Sequence, residues 1–564
     1  MNALSAAGDV PAELPLGHLD EACAVGLVTE LPDVPGRYRF THALIRDALY
    51  AGLSGTRKAR LHLRVGEALE YFHGADPDLH LAELAHHFRQ SRRPEARRRA
   101  ASYAARAGER ALAVYAYEEA IQQFRLALDD TADGDSRTHD DLLLSLADAQ
   151  VRAGDFAAGR QTCHRAAALA RERGRPIQLA RAGVLLYDDP MEFGTFNPEL
   201  VALLEQALNG LGDEEPALRA KVLARLAMAL SWQPADDPDV LGALAGRCQV
   251  LARRAVALAR GLGDPAVLAY ALGADNHVHS GPEDAERRLE VADEILRLAG
   301  PPGDRTWELQ ARRWRVITYA ELGRFTEFDT EVDAYAATAE ELRMPDYLAW
   351  VPLWRGMRAV MAGDVEQAER LAAQARACVP DPPAPAVIQG YGAALWTLHR
   401  EQGRLGMLEP TLSGFVRRFP ALPGWRAALA LTLAAAGRVD EARRQLDRLA
   451  WAGFRDVPRD RGWLITMTRL AEACALLPEA DHAGRLYELL LPFERRCAVA
   501  FGVATTGPVA FHLGRLAEVL GREPEAHRHY ALAVEISRRI GASSWLAQAR
   551  HRLASPPAPV VADV

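Results

Sequence analysis

Histidines, acids and aromatics gather in separate places where their spacing suggests chemistry. In LHLAELAHHF, His80, Glu83, His86 and His87 follow helical spacing, with His80 and Glu83 on one face and His87 one turn beyond. A zinc-binding helix needs H-E-x-x-H or a third ligand held nearby. Neither is present, which favours a packing helix over a metal site. In GADNHVHSGPED, Asp275, Asn276, His277 and His279 lie at the end of a helix, with Asp284 just beyond. An imidazole titrates near neutrality, so Asp275 and His277 are candidates for an acid–base pair or a ligand contact. The plainer reading is that Asn276 and the histidines satisfy turn backbone groups between two helices. Trp307, Trp314, Tyr319, Trp350, Trp354 and Trp396 crowd the middle of a chain that is only 7% aromatic. With Arg312, Arg313 and Arg355 they would grip a peptide or small ligand on an inner surface. The competing reading, core filling between alanine-rich helices, is favoured because tryptophan is highly buried on average.

Other chemistries are excluded by counting. The 564 residues carry 67 basic side chains, of which only Lys58 and Lys221 are lysines. A phosphate loop needs G-x-x-x-x-G-K-[ST], and these lysines precede Ala59 and Val222, so the chain has no Walker-type nucleotide site. The cysteines, Cys23, Cys163, Cys248, Cys378, Cys474 and Cys497, form no C-x-x-C motif and read as packed free thiols. Cys163 and His164 are adjacent, hence about 100° apart on a helix, and make no catalytic dyad. No G-x-S-x-G elbow occurs. Net charge is −8, so no global basic field exists to hold nucleic acid. The stretch from Arg89 to Arg110 holds eight arginines against Glu95 and Glu109. Without aromatic interleaving, it reads as a helix end docking on an acidic neighbour such as Asp129 to Asp141. No apolar run approaches membrane-spanning length, and the first residues lack a secretory n- and h-region. A soluble, cytoplasmic protein without cofactor or metal is expected.

The elements that position these residues are helices. From about residue 78 onward, helical periodicity alternates with Gly, Pro or Asp breaks, and no strand-like alternation is visible. A small residue is followed 12 later by a small one, 4 later by a larger one and 3 later by Ala or Leu. Examples are Gly108/Ala120/Phe124/Ala127, Ala147/Gly159/Cys163/Ala166, Gly273/Ala285/Leu289/Ala292, Gly356/Ala368/Ala372/Ala375, Ala430/Ala442/Leu446/Leu449, Ala471/Ala483/Tyr487/Leu490 and Gly514/Ala526/Tyr530/Ala533. The small residues let two helices of a hairpin touch, and the large one is expected to fill the groove toward the next hairpin. Tight turns such as Ala-Gly-Asp-Phe at 153–156 and Ala-Gly-Asp-Val at 362–365 separate the helices. The repeat length, mostly about 40 residues, predicts about eleven tetratricopeptide-like hairpins.

Residues 1–75 differ. Leu19 to Leu27 reads as a helix, Val28-Thr-Glu and Arg37-Tyr-Arg-Phe40 as strands, His42 to Leu53 as a helix capped by Thr41, and the next helix as capped by Thr56. Helix, β-wing and helix resemble the back half of a winged-helix domain, as if the chain began inside a larger architecture.

The segment RYRFTHALIRDALYAGLSGTRKARLHLRVGEALE, Arg37 to Glu70, resembles the winged-helix-to-repeat junction of large actinobacterial signal-transduction ATPases. That group includes large LuxR-type transcriptional regulators of the AAA-ATPase kind and cyclase-linked relatives. The matching residues are Phe40, His42, Ala43, Leu44, Arg46, Ala48, Leu49, Tyr50, Arg57, Arg60, Leu61 and His62. The stretches from Glu83 to Leu128 and from Thr505 to Ala542 look like the first and last repeats of those proteins. The resemblance implies a sensor array that restrains an ATPase module until a ligand or partner binds. The phosphate loop and the C-terminal helix-turn-helix have no counterpart here, so ATP hydrolysis and DNA binding are not carried over.

The expected fold is all-α: a TPR-like α-solenoid of 76–554 behind a partial winged-helix element at 1–75, with a disordered tail at 555–564. The expected function is a non-catalytic regulatory scaffold binding a partner protein or inducer ligand on its concave face. The alternative is a DNA-associated transcriptional regulator whose ATPase or helix-turn-helix lies on another chain; direct nucleic-acid or membrane binding is not expected. Asp275, His277, Trp307, Arg313, Trp314, Trp350, Trp354 and Trp396 are the candidate ligand contacts. His42, Arg46, Arg57, Arg60, Arg97 and Arg98 are the candidate interdomain contacts.

Overall fold

Two of the helical hairpins turn on a glycine followed by an aspartate. Gly154 has φ 82° and Gly363 φ 87°, a left-handed conformation that costs glycine little and ends the first helix. The next residue caps the second: Asp155 accepts the N–H of Ala158 at 3.1 Å, and Asp364 that of Gln367 at 2.9 Å. At three other helix starts proline sits in the first turn, with Asn197, Asp237 and Asp264 as caps.

A computed structural model describes residues 13–31, 36–73, 77–131, 136–186, 194–235, 237–299, 305–342, 345–378, 385–478 and 481–554. The tail at 555–564 and most of the turn at 31–36 lie outside them. The fold is an all-α solenoid of stacked helical hairpins. It divides into two compact units, Met1–Asp188 and Asp189–Val564.

In the first unit, helix Glu13–Ala24 precedes a two-stranded antiparallel ribbon, with Val28 opposite Phe40 and Glu30 opposite Tyr38. Helices Ala43–Ala51 and Gly55–His73 follow. Thr41 does not cap: His42 takes the cap position without a side-chain bond, and Thr41 Oγ1 donates to the carbonyl of Gly26. Thr56 lies inside its helix, and Ser54 Oγ accepts the N–H of Arg57 at 3.3 Å. Helix Gly55–His73 packs on Leu81–Gln90, where a Cβ added at Gly66 would lie 3.0 Å from Phe88. Hairpins Pro94–Ala113/Tyr117–Asp130 and Ser136–Arg152/Phe156–Glu172 come next, followed by helix Pro176–Leu185.

The second unit begins with helix Pro198–Gly210. Hairpins then pair Pro216–Leu230 with Pro238–Leu262, Pro265–Val278 with Ala285–Ala299, Arg305–Glu321 with Phe325–Leu342, and Trp350–Ala362 with Val365–Ala377. After Pro385–Glu401 and Glu409–Arg418, Pro423–Ala435 pairs with Val439–Ala450, Trp463–Cys474 with Ala483–Leu490, and Val509–Val519 with Glu523–Ile540. Ser543–Ala554 closes the unit.

The recurring spacing marks real contacts. A Cβ added at Gly108 would lie 2.7 Å from Phe124, and one at Gly514 2.6 Å from Tyr530. The large residue therefore packs back over the small one of its own hairpin instead of serving only the next. At Gly273 the space is taken instead by Trp307, from the following hairpin.

The array also holds strands that the sequence pattern hides. Cys497–Ala500 and Ala504–Pro508 form an antiparallel hairpin with a register irregularity between Ala498 and Val499. Every strand residue is buried. A strand covered on both faces shows no polar–apolar alternation, so CAVAFGVATTGP carries no period-2 signal. The hairpin packs on the first helices of several repeats, among them Arg305–Glu321, Pro385–Glu401 and Trp463–Cys474. It fills the inner face of the second unit, within a core that extends from Leu289 to Ala549.

Candidate functional site

Two of the candidate aromatics, Trp350 and Trp354, meet this hairpin and not solvent. Trp350, Trp354 and Trp396 are fully buried, and Trp314 is 3% exposed. Trp354 Nε1 donates to the carbonyl of Phe501 at 3.0 Å, and the Trp350 ring lies 6.1 Å from the Phe501 ring. Arg313, also buried, lies 4.1 Å from the ring of Trp350. Trp396 holds the Arg469 guanidinium at 4.3 Å and donates to Thr432 Oγ1 at 3.4 Å. Trp307 is partly buried, edge-on to Tyr270.

An open cleft of about 370 Å³ lies beside this filled interior. Its walls are Ser231 and Trp232 at the end of one helix, Leu241 and Leu244 on the next, His277 and Val278 at the end of Pro265–Val278, and the segment from Arg455 to Arg461. His277 Nε2 lies 2.8 Å from Ser231 Oγ, and its ring is edge-on to Trp232 at 5.1 Å. Asp275 faces away from this cleft contact: it is buried and pairs with Arg287 at 2.6 Å and His279 at 3.1 Å. Asp275 and His277 are therefore not partnered to each other. Asn276, fully buried, donates to the carbonyl of Arg288 at 3.0 Å and accepts from Arg461 at 2.6 Å.

Long-range ion pairs fix the far wall. Arg459 bonds Glu283 at 3.1 Å and Arg496 bonds Glu286 at 2.8 Å. Arg461 and Ser231 were not singled out by local spacing, because Asn276 lies 185 residues from Arg461 and His277 46 residues from Ser231.

A serine beside a histidine in a cleft invites comparison with a hydrolytic dyad, and the electrostatics argue against it. Burial, with the Arg461 and Arg225 guanidiniums nearby, pushes His277 down to about 3. An imidazole that weak is a poor general base for a serine proton near neutrality. Ser231 Oγ also donates to the carbonyl of Met228 at 2.7 Å, which makes His277 Nε2–H the donor between the two. Among the described residues no carboxylate bonds the other ring nitrogen, the third part that a triad supplies. Burial would raise Asp275, but His279 and Arg287 outweigh it and hold the carboxyl below its ordinary value. Cys248, also on the cleft wall, is pushed up to about 11 by burial and is an unreactive thiol.

In the first unit, His42, Arg46, Arg57 and Arg60 are exposed, and Arg46 pairs only with its neighbour Asp47. Helix Ala43–Ala51 buries no residue, leaving Leu44 81% and Leu49 57% exposed. Tyr50 bonds His62 at 2.9 Å, and His62 Nδ1 lies 2.9 Å from His87 Nδ1. His80 instead meets Glu83 at 3.2 Å and stacks on His73. Among the described residues no set of three His, Cys, Asp or Glu side chains is placed to hold a metal ion. The arginine-rich stretch does dock on acids: Arg97, on Pro94–Ala113, bonds Asp130 at 3.1 Å, and Arg89, on Leu81–Gln90, bonds Asp129 at 3.2 Å. Arg98 is exposed. Among the described residues no helix is long and apolar enough to cross a membrane.

No protein-family model and no curated protein matches the chain. Solved structures do. One is a signal transduction ATPase with numerous domains carrying a tetratricopeptide repeat sensor, from Pyrococcus horikoshii, at 13% identity and a TM-score of 0.43 over 74% of this chain. The match spans 60% of that protein's length. Others are a Rap protein complexed with competence and sporulation factor (13% identity, TM-score 0.32, 72% of this chain and 92% of that one) and the APC/C hetero-tetramer Cut9–Hcn1 (13% identity, TM-score 0.38, 84% and 86%).

Proposed function

We propose that this protein is a non-catalytic, cytoplasmic regulatory scaffold that binds an inducer ligand or a partner protein, with the ligand seated in the cleft at Ser231, Trp232, His277 and Arg461. One observation carries the reading: the chain's own hairpin occupies the inner aromatic face, while polar side chains from segments far apart in sequence converge on the open cleft. Of the expected ligand contacts, His277 lines that cleft, and Trp314 supports Arg461 from behind at 5.3 Å. A ligand bridging the end of Pro265–Val278 and the 455–461 segment favours one packing of these hairpins over another, which is how a binding event becomes a signal. Kinship with the sensor region of the large signal-transduction ATPases belongs to this proposal and rests on the matched residues from Phe40 to His62. So does the division into an N-terminal element at 1–75, an array at 76–554 and a tail, with an ATPase module on another chain as the partner acted upon.

The test is a thermal-shift screen of metabolites and short peptides against the full chain and a Ser231→Phe variant that fills the cleft. Ligands that raise the melting temperature of the parent should lose that effect in the variant. Ligands that stabilise both chains equally would overturn the cleft as the site.

A further inference from the structure

Arg461 is a half-buried cation whose direct hydrogen-bond partners among the described residues are the two oxygens of Asn276. One amino group donates to the side-chain and main-chain oxygens of Asn276, at 2.6 and 2.8 Å, and the guanidinium lies 5.3 Å from the ring of Trp314. Nearby acids are engaged elsewhere. Asp460 accepts the N–H of Gly462 at 2.8 Å, Glu321 is bonded to Arg288, and Glu283 is bonded to Arg459. Arg288 and Arg313 crowd the same interior, and burial together with these two cations drags Arg461 well below its ordinary value, with Asp460 and Glu321 offsetting only part. A half-buried charge short of its counter-charge carries part of that desolvation cost, and an anion arriving from solvent relieves it.

Arg461 lies on the cleft wall, which it shares with polar side chains and with an apolar group, Trp232, Leu241, Leu244, Val278 and Val457. We infer that the cleft binds a small organic monocarboxylate, its carboxylate on Arg461 and its apolar body along Trp232, Leu241 and Leu244. The inference rests on the cleft being the ligand site proposed above. A guanidinium fork matches a carboxylate in shape and charge. Asp284, Asp460 and Glu283 line the same cleft and penalise a dianion more than a monoanion. The 370 Å³ volume lies at the small end of ligand pockets, the size of a metabolite and not of a folded partner.

The experiment is isothermal titration of the full chain with octanoate and indole-3-acetate, against octan-1-ol, octylamine and inorganic phosphate. At least one carboxylate should bind tenfold or more tightly than octan-1-ol, with octylamine and phosphate showing no heat of binding. Arg461→Lys, which keeps the charge but loses the fork, should weaken that carboxylate about tenfold. Arg370→Gln, an exposed control on another helix, should leave it within twofold. Should Arg461→Lys melt early, Trp232→Ala tests the body contact, and the selectivity series in the unmodified chain stands alone. The inference is overturned if octan-1-ol matches octanoate, if octylamine or phosphate binds as well as the carboxylates, or if neither carboxylate binds at millimolar concentration. Neutral or cationic ligands whose effect is lost in Ser231→Phe would sink this inference while the cleft reading stood. Ligands indifferent to Ser231→Phe would sink the reading itself.

Discussion

Trp354 Nε1 donates to the main-chain carbonyl of Phe501 at 3.0 Å, tying the wall of the inner face to the tip of the hairpin that fills it. Replacing the indole by a phenyl ring deletes that hydrogen bond and leaves a gap beside the hairpin tip. Trp354→Phe should therefore cost about 1–3 kcal/mol of stability. Urea denaturation followed by circular dichroism reads this directly; a midpoint equal to that of the parent would mean the hairpin is held by packing alone.

Glycines of the repeat spacing divide into two classes. At Gly108 and Gly514 an added methyl would overlap Phe124 and Tyr530, whereas at Gly356 the nearest atom, Leu371 Cβ, would be 3.7 Å away. Gly108→Ala and Gly514→Ala should destabilise by about 1–3 kcal/mol. Gly356→Ala should be neutral or stabilise by about 0.5–1 kcal/mol, since alanine is the better helix former. Thermal melts of the three variants decide it, and the idea fails if all three move the same way.

His277 is held neutral, at about 3, while an unfolded chain takes up that proton near 6.5. The folded value is the lower one, so this contribution is intact above 6.5 and is lost progressively as pH falls from 6.5 toward 3. His512 and His87, each pushed down to about 4 chiefly by burial, act in the same direction. The melting temperature should drop between pH 7 and pH 4.5, less steeply in His277→Gln than in the parent. Superimposable pH profiles would refute this account of His277.

Ser231 should be chemically quiet. A fluorophosphonate probe labels serines activated by a neighbouring base, and His277 is too weak a base to serve. Intact-protein mass spectrometry should show no adduct at pH 7.5. Labelling of Ser231 would revive the hydrolase reading.

Helix Gly55–His73 contributes Leu69 to a cluster with Leu84, Phe88, Ala96 and Ala100. A chain starting at 77 lacks that cover, while one starting at 53 keeps it and loses helix Glu13–Ala24, the two-stranded ribbon and helix Ala43–Ala51, none of which belongs to this cluster. Hydrogen exchange in Leu81–Gln90 should accelerate in the shorter chain alone, with a stability loss of about 2–5 kcal/mol in the first unit. Equal exchange in both would mean that helix Gly55–His73 is no part of the array's support.

The parts of this fold legible in sequence are those set by neighbours. Gly154 with Asp155, and Gly363 with Asp364, write a turn in adjacent residues, and Gly108 with Phe124 writes a hairpin contact 16 apart. The 497–508 hairpin left no trace, because burial on both faces erases the alternation that betrays a strand. The cleft was half legible. His277 stood out by type, but Arg461 owes its role to Asn276, a partner that only folding brings near. The tryptophans were conspicuous as a group, yet whether they met ligand or core depended on Phe501, more than a hundred residues along the chain.

Open solenoids can change length by duplicating a repeat, since each contacts only its neighbours. The pairs Arg459–Glu283, Arg461–Asn276 and Arg496–Glu286 forbid that here, because each joins segments separated by between 176 and 210 residues. One hairpin more or fewer between them would carry the arginines out of register with all their partners at once. Evolution can vary this stretch by substitution but not by copying, so its descendants should keep the same number of hairpins between Glu286 and Arg459.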